Sequence, residues 1–199
     1  MHIRAPAILL AARQHGETAV VARFLTEEYG LVAGYVAGGR GRQLRPVVIP
    51  GNAVDLQLSA KSDSQLPFAK VELTTSRGPW LGEPLPAAAI GWVCALTATA
   101  LPERQPYPTL FEALSGTLDA ICHAPSARGW ASALVGYEAL LLRELGYGGA
   151  GGRPEGELSQ VIESMDALAG PLDHYLLADR RGDVMAARTR LRDLLKRMA

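Results

Sequence analysis

Alternation of apolar and polar residues dominates the first 75 residues, and spacings of three and four dominate the rest. The clearest extended run has Val54, Leu56 and Leu58 alternating with Asp55, Gln57 and Ser59, the period of two that sends side chains to opposite faces of a strand. Ala69, Val71 and Leu73 repeat it against Lys70, Glu72 and Thr74. Earlier, Val20, Ala22 and Phe24 fall on one side of an extended segment, with Val21, Arg23 and Leu25 on the other. Ile3 to Arg13 and Leu31 to Ala37 complete a set of five strands joined by short turns. Between Glu17 and Tyr29 a helix competes, because Val21, Leu25 and Glu28 also keep helical spacing. Dense β-branched and aromatic residues favour the strand.

Five short strands in such a length suit a small closed barrel, since closure removes edges that would pair between molecules. The OB-fold is the five-strand solution that also binds nucleic acid. An SH3-like barrel satisfies the same strand count.

The pattern changes at Ser76-Arg77-Gly78-Pro79-Trp80, which predicts a first domain over 1–78 and an all-helical second domain over 79–199. Ala87 to Leu101 is helical by composition and is stopped by Pro102. Thr109 and Glu112 have capping-box spacing before a stripe of Leu110, Leu114, Leu118 and Ile121. Ser126 opens the next helix, striped by Trp130, Leu134, Tyr137, Leu141 and Leu145 and ended by Gly146. The glycine-rich run over 148–154 reads as a flexible loop. Leu158 to Leu168, Leu172 to Leu177 and Val184 to Met198 are further helices. The last has Val184, Ala187, Leu191, Leu194 and Met198 as its apolar stripe, with arginines around it.

With 48% apolar residues in 199 the chain can bury a core. Formal charge is zero, but residues 1–78 hold 9 basic and 6 acidic side chains and the remainder 11 and 14. Only Lys61, Lys70 and Lys196 are lysine. A guanidinium fork suits phosphate oxygens, although a GC-rich genome explains the arginine and alanine load together. Two cysteines, Cys94 and Cys122, are too few for a disulfide framework or a four-thiolate zinc site. Ala87 to Leu101 is shorter than the roughly 20 residues that span a bilayer, and the opening run reads as a strand, not a signal peptide. A cytoplasmic, nucleoid-associated location follows as an expectation.

No glycine loop leads into Gly-Lys-Ser/Thr, and the four histidines sit at no metal-ligand or triad spacing. The reading is a protein that is not an enzyme and carries no cofactor. Its candidate chemistry lies in Gly38-Gly39-Arg40-Gly41-Arg42 and Arg45, where cations on a glycine-rich loop can follow a phosphate backbone. Tyr29 or Tyr35 can offer a face for base stacking. A solvated loop without specific contacts accounts for the same residues, and the basic last helix ranks second as a contact surface.

Gly16-Glu17-Thr18, then Phe24-Leu25-Thr26-Glu27-Glu28-Tyr29-Gly30, then the glycine-arginine loop together resemble the amino-terminal domain of the RecO recombination-mediator family of bacterial DNA repair. Leu101-Pro102-Glu103, Tyr107 to Leu114 and the Leu145-Gly146-Tyr147 helix end agree more loosely. The resemblance implies an OB-fold followed by a helical domain, with no catalytic centre. It implies binding of single- and double-stranded DNA, strand annealing, and help to the RecA recombinase in replacing single-strand-binding protein together with RecR. Arg40 and Arg42 fall in the basic loop that the family uses near DNA; Arg23, Lys61, Lys70 and Arg77 are further candidates on the same domain. Many members carry a four-cysteine zinc module after the Leu-Gly-Tyr helix, where this chain has Gly148 to Pro154, so no structural zinc is expected. Leu141 and Arg143 are offered as a place where the tail of single-strand-binding protein docks. A protein-protein adaptor and an RNA-binding module remain as alternatives.

Overall fold

The computed structural model describes residues 2–62, 65–148, 152–178 and 184–199. Five strands come first: β1 (His2–His15), β2 (Ala19–Thr26), β3 (Gly30–Val36), β4 (Ala53–Ser59) and β5 (Phe68–Thr75). They close into a barrel in the order β1-β2-β3-β5-β4, with β4 returning to β1. All pairings are antiparallel except β3 with β5, which meet in parallel at Tyr35 and Phe68. This is the OB-fold arrangement, and the strand reading of Glu17 to Tyr29 prevails over the helical one.

The long β1 serves two neighbours because it bends. Its register shifts between Leu9 and Ala11, so residues 2–8 pair with β4 and residues 7–15 with β2, as expected where a bulge sharpens local twist. Ile3, Ala5, Ala7 and Leu9 point inward with Ala22, Phe24, Val54, Leu56 and Leu58. Ile8, Leu10, Leu25 and Leu31 are buried on the opposite side of their strands, which explains why β1 reads as an apolar run instead of a clean alternation.

Close approach of β3 to β5 depends on Gly34. A Cβ there would stand 2.7 Å from the Ala69 Cβ and 2.8 Å from Leu58 Cδ2, inside any real carbon contact. The β2–β3 turn depends on Gly30, whose φ is +65° and whose Cβ would lie 1.9 Å from the Gln105 carbonyl oxygen. Thr26 secures that turn: its buried hydroxyl donates to the Gly30 carbonyl at 3.0 Å and accepts the Tyr29 amide at 3.1 Å.

The helical elements are α1 (Pro84–Ala100), α2 (Pro108–His123), α3 (Ala127–Glu144), α4 (Leu158–Pro171), a π-helical turn (Leu172–Leu177) and α5 (Val184–Lys196). Two compact units result: Met1–Gly82 with Leu101–Phe111, and Glu83–Ala100 with Glu112–Ala199. Within the first, the added segment runs beside β3, where the Arg104 amide donates to the Leu31 carbonyl at 2.8 Å.

In the second unit, α1 is apolar almost all round, with Ile90, Trp92, Val93, Cys94 and Leu96 wholly buried. Tyr137 shares a 2.7 Å hydrogen bond with Thr97. Burial pushes its phenol well above the usual tyrosine range, with the Thr97 bond opposing. The expected stripe on α5 is shifted: Arg188, Leu191 and Leu195 are buried, while Met198 is 61% exposed. Burial of an arginine here has a partner behind it, since Arg188 meets Glu138 of α3.

The flexible loop expected over 148–154 falls partly outside the described residues, at 149–151. Its described end is anchored. Arg153 Nε donates to Ser132 Oγ at 3.1 Å, its Nη2 donates to the Gly129 carbonyl at 3.1 Å, and Ser132 Oγ donates to the Pro154 carbonyl.

Candidate nucleic-acid interface

The segment after β3 folds back over one end of the barrel. Gly38, with φ +66°, turns the chain, and successive turns follow through Gly41 N to Gly38 O, Arg45 N to Gly41 O and Val48 N to Leu44 O. Leu44, Val47 and Val48 pack against the barrel core. The glycine-arginine segment is therefore tied down by its own apolar residues and is not a loop without specific contacts.

Asn52 holds the far side. Its Nδ2 donates to the Pro46 and Val47 carbonyls, each at 3.0 Å, and its Oδ1 accepts the Arg77 amide at 2.8 Å. Asn52 is wholly buried. In sequence it reads as part of a turn, and only its lack of solvent exposure reveals that it binds three neighbours.

Arg40, Arg42 and Arg45 all lie exposed on this folded segment. The Arg40 amide donates to the Thr18 carbonyl at 2.9 Å, and its Nη1 donates to the Glu17 carbonyl at 2.7 Å. That contact fixes one guanidinium against the β1–β2 turn. Arg40 and Arg45 line a common hollow with Gln14, Val20 and Val48. An anion entering it meets fixed charge and does not have to order a free loop.

The other sequence candidates divide. Lys61 and Lys70 are exposed, and Lys70 stands 3.6 Å from Glu72. Arg23 is half-buried and donates to Glu103 at 3.1 Å, so its charge is largely offset. Arg77 is corrected. It is 3% exposed, and its guanidinium donates to the Gly51 carbonyl; it braces the barrel instead of facing solvent. Tyr35 is partly exposed and makes edge contacts with His15 at 5.7 Å and with Phe68 at 5.1 Å. Phe68 and His15 are the residues that sequence reasoning missed here. The available signal was the alternation itself, which puts Phe68 on the same outward face as Lys70 and Glu72.

Residues 1–77 match the family described as Recombination protein O N terminal, and residues 84–149 match Recombination protein O C terminal. The DNA repair protein RecO of Rhodospirillum centenum is 34% identical over 94% of this chain and 92% of its own length. The chain belongs to the RecO family. The RecO proteins of Ruegeria sp. and Cereibacter sphaeroides are 41% and 35% identical over 74% of the chain, which spans 61% and 60% of their lengths.

The motifs that carried the RecO resemblance now have physical roles. Thr26 and Gly30 of the Leu-Thr-Glu-Glu-x-Gly turn hold the β2–β3 connection, and the glycine-arginine loop closes the barrel end. In the helical unit, Leu141 is wholly buried and is corrected as a docking residue, because it points into the core. Its neighbours Leu140 and Arg143 instead line a groove with Gly116, Ala120, Gly136 and Arg153. Among the described residues no group of three or more His, Cys, Asp or Glu is placed to hold a metal. No helix among them is long and apolar enough to cross a membrane.

Proposed function

We propose that this RecO-family chain is a non-catalytic recombination mediator of DNA repair: it binds single- and double-stranded DNA, anneals complementary strands and helps RecA displace single-strand-binding protein together with RecR. The observation that carries the reading is the cluster of Arg40, Arg42 and Arg45, exposed on a segment held over the barrel end by Leu44 and Asn52. A segment whose backbone is already ordered, with the Arg40 guanidinium held by the Glu17 carbonyl, presents its cations to phosphates without first losing loop entropy. The net positive count of residues 1–78 supports the same reading.

Binding of a fluorescent single-stranded oligonucleotide, titrated across salt concentrations, tests it. Affinity should fall steeply with salt as counterions are released, and Arg42→Gln with Arg45→Gln should lower the log-log slope by roughly 1.4, about 0.7 per phosphate contact. Unchanged affinity and slope would remove this segment from the interface. Absence of binding by the parent chain at low salt would favour the adaptor reading.

The groove between α2 and α3 supports a second contact. Its small-residue floor and the rim arginines Arg143 and Arg153 suit an apolar, acidic tail such as that of single-strand-binding protein. Titration with such a peptide should give saturable binding that Arg143→Glu abolishes.

A further inference from the structure

Phe68 is 59% exposed and Leu66 is 45% exposed, the most exposed large apolar side chains of the barrel among the described residues. Neither is a loose side chain. Phe68 and Tyr35 are the residues through which β5 and β3 pair, and the Tyr35 amide donates to the Pro67 carbonyl at 2.8 Å. Gly34 permits that approach, so the rings are positioned by barrel closure itself. Tyr35 stands between His15 and Phe68, edge to face with both, at interplanar angles of 87° and 69°. The three rings form a ledge across β1, β3 and β5, with no ring stacked flat on its neighbour.

Positive charge flanks the ledge at both ends. Lys61 shares a hollow with Leu66 and Phe68, and Arg104 shares the adjoining one with Leu66, Ala33 and Glu103, whose carboxylate is paired with Arg23. Arg104 has φ +60°, a conformation that costs a non-glycine residue energy, and its amide bond to Leu31 keeps it there. At the opposite end, His15 leads into the β1–β2 turn, where the Glu17 carbonyl takes the Arg40 guanidinium. The aromatic rings thus lie between the held Arg40 guanidinium on one side and the Lys61 and Arg104 side chains on the other.

We propose that the His15, Tyr35 and Phe68 ledge stacks unpaired bases of single-stranded DNA, with the sugar-phosphate chain passing between Arg40 and the Lys61 and Arg104 side. The inference rests on the DNA-binding reading and adds strand preference to it. A duplex keeps its base faces stacked on one another and has none to offer, whereas each unpaired base has a face that any aromatic ring can meet without regard to sequence. The arginine segment then serves both forms of DNA, and the ledge serves one. Rigid strands give the platform its fixed spacing.

The test uses the full chain and its Phe68→Ala and Phe68→Trp forms, titrated at low salt with a fluorescent oligothymidylate, a duplex of equal length and an abasic strand. Matching melting curves establish that the variants fold. Phe68→Ala should weaken oligothymidylate binding on the order of tenfold, leave duplex affinity and both salt slopes unchanged, and bring oligothymidylate down toward the abasic strand; Phe68→Trp should keep parent affinity. Equal weakening of duplex and single strand, or no change in either, would overturn the ledge. If the parent chain binds none of the three, the DNA-binding reading itself fails, an outcome separate from loss of the ledge alone.

Discussion

Arg188 and Glu138, 50 residues apart, form a two-pronged ion pair inside the helical unit: Arg188 Nε donates to Oε1 at 2.9 Å and Nη2 to Oε2 at 2.7 Å. Both side chains are at most 3% exposed. Trp92 Nε1 adds a 2.8 Å bond to Oε1, and Arg188 also donates to the Met165 carbonyl at 2.6 Å. The Glu138 and Arg188 pair thus ties α1, α3, α4 and α5 together.

Removing one partner of such a pair leaves a buried charge with nothing to balance it. Arg188→Met should cost about 3 to 5 kcal/mol, read as a shift in the denaturant midpoint at constant slope. Replacing both partners, with Glu138→Gln keeping an acceptor for Trp92, should cost less than Arg188→Met alone. A loss below about 1 kcal/mol for the single change would mean that the pair is hydrated in solution.

Gly30 and Gly16 separate two effects of glycine. Both have φ near +65°, but a Cβ at Gly16 meets nothing within 4 Å, while one at Gly30 runs into Gln105. Gly16→Ala should cost about 1 to 2 kcal/mol, the left-handed penalty alone. Gly30→Ala should cost clearly more. Equal losses in thermal melts would show that the Leu101–Phe111 segment gives way freely.

Asn52 carries no charge, yet the arginine segment depends on it. Asn52→Ala leaves the Pro46 and Val47 carbonyls and the Arg77 amide without their partner, at about 1 to 3 kcal/mol. DNA affinity should fall although every cation is retained. Hydrogen exchange over residues 38–50 should rise; unchanged exchange would refute this bracing role.

Asp166 links stability to acid. Its hydrogen bond from Arg192 holds the carboxyl below its usual 3.8, against a smaller opposing effect of burial. A depressed folded-state pKa means stability that is present above 3.8 and is lost as pH falls through the lower folded value. The gap between the parent chain and Asp166→Asn should therefore be small but present at neutral pH, and should close in acid below that range. The pair is partly exposed, so salt should shrink the gap. A gap that persists unchanged in strong acid would remove charge as its cause.

Alternation and turn chemistry are local, and for that reason five strands, their approximate limits and the helical second half were legible in the chain itself. Val54 to Leu58 alternate because one side of the strand must face a core, whatever the rest of the fold. Gly30 and Gly38 marked turns because only glycine takes left-handed φ without strain. Which cations reach solvent was decided elsewhere. Arg77 and Arg188 look like their neighbours in sequence, and they are buried because Gly51 and Glu138 come to them across the fold. Leu141 turned inward and Phe68 outward for the same reason: periodicity gives two faces to an element, and tertiary packing chooses what each face meets. Closure between β3 and β5 needs Gly34, whose missing side chain lets the strands approach and so puts Tyr35 beside Phe68.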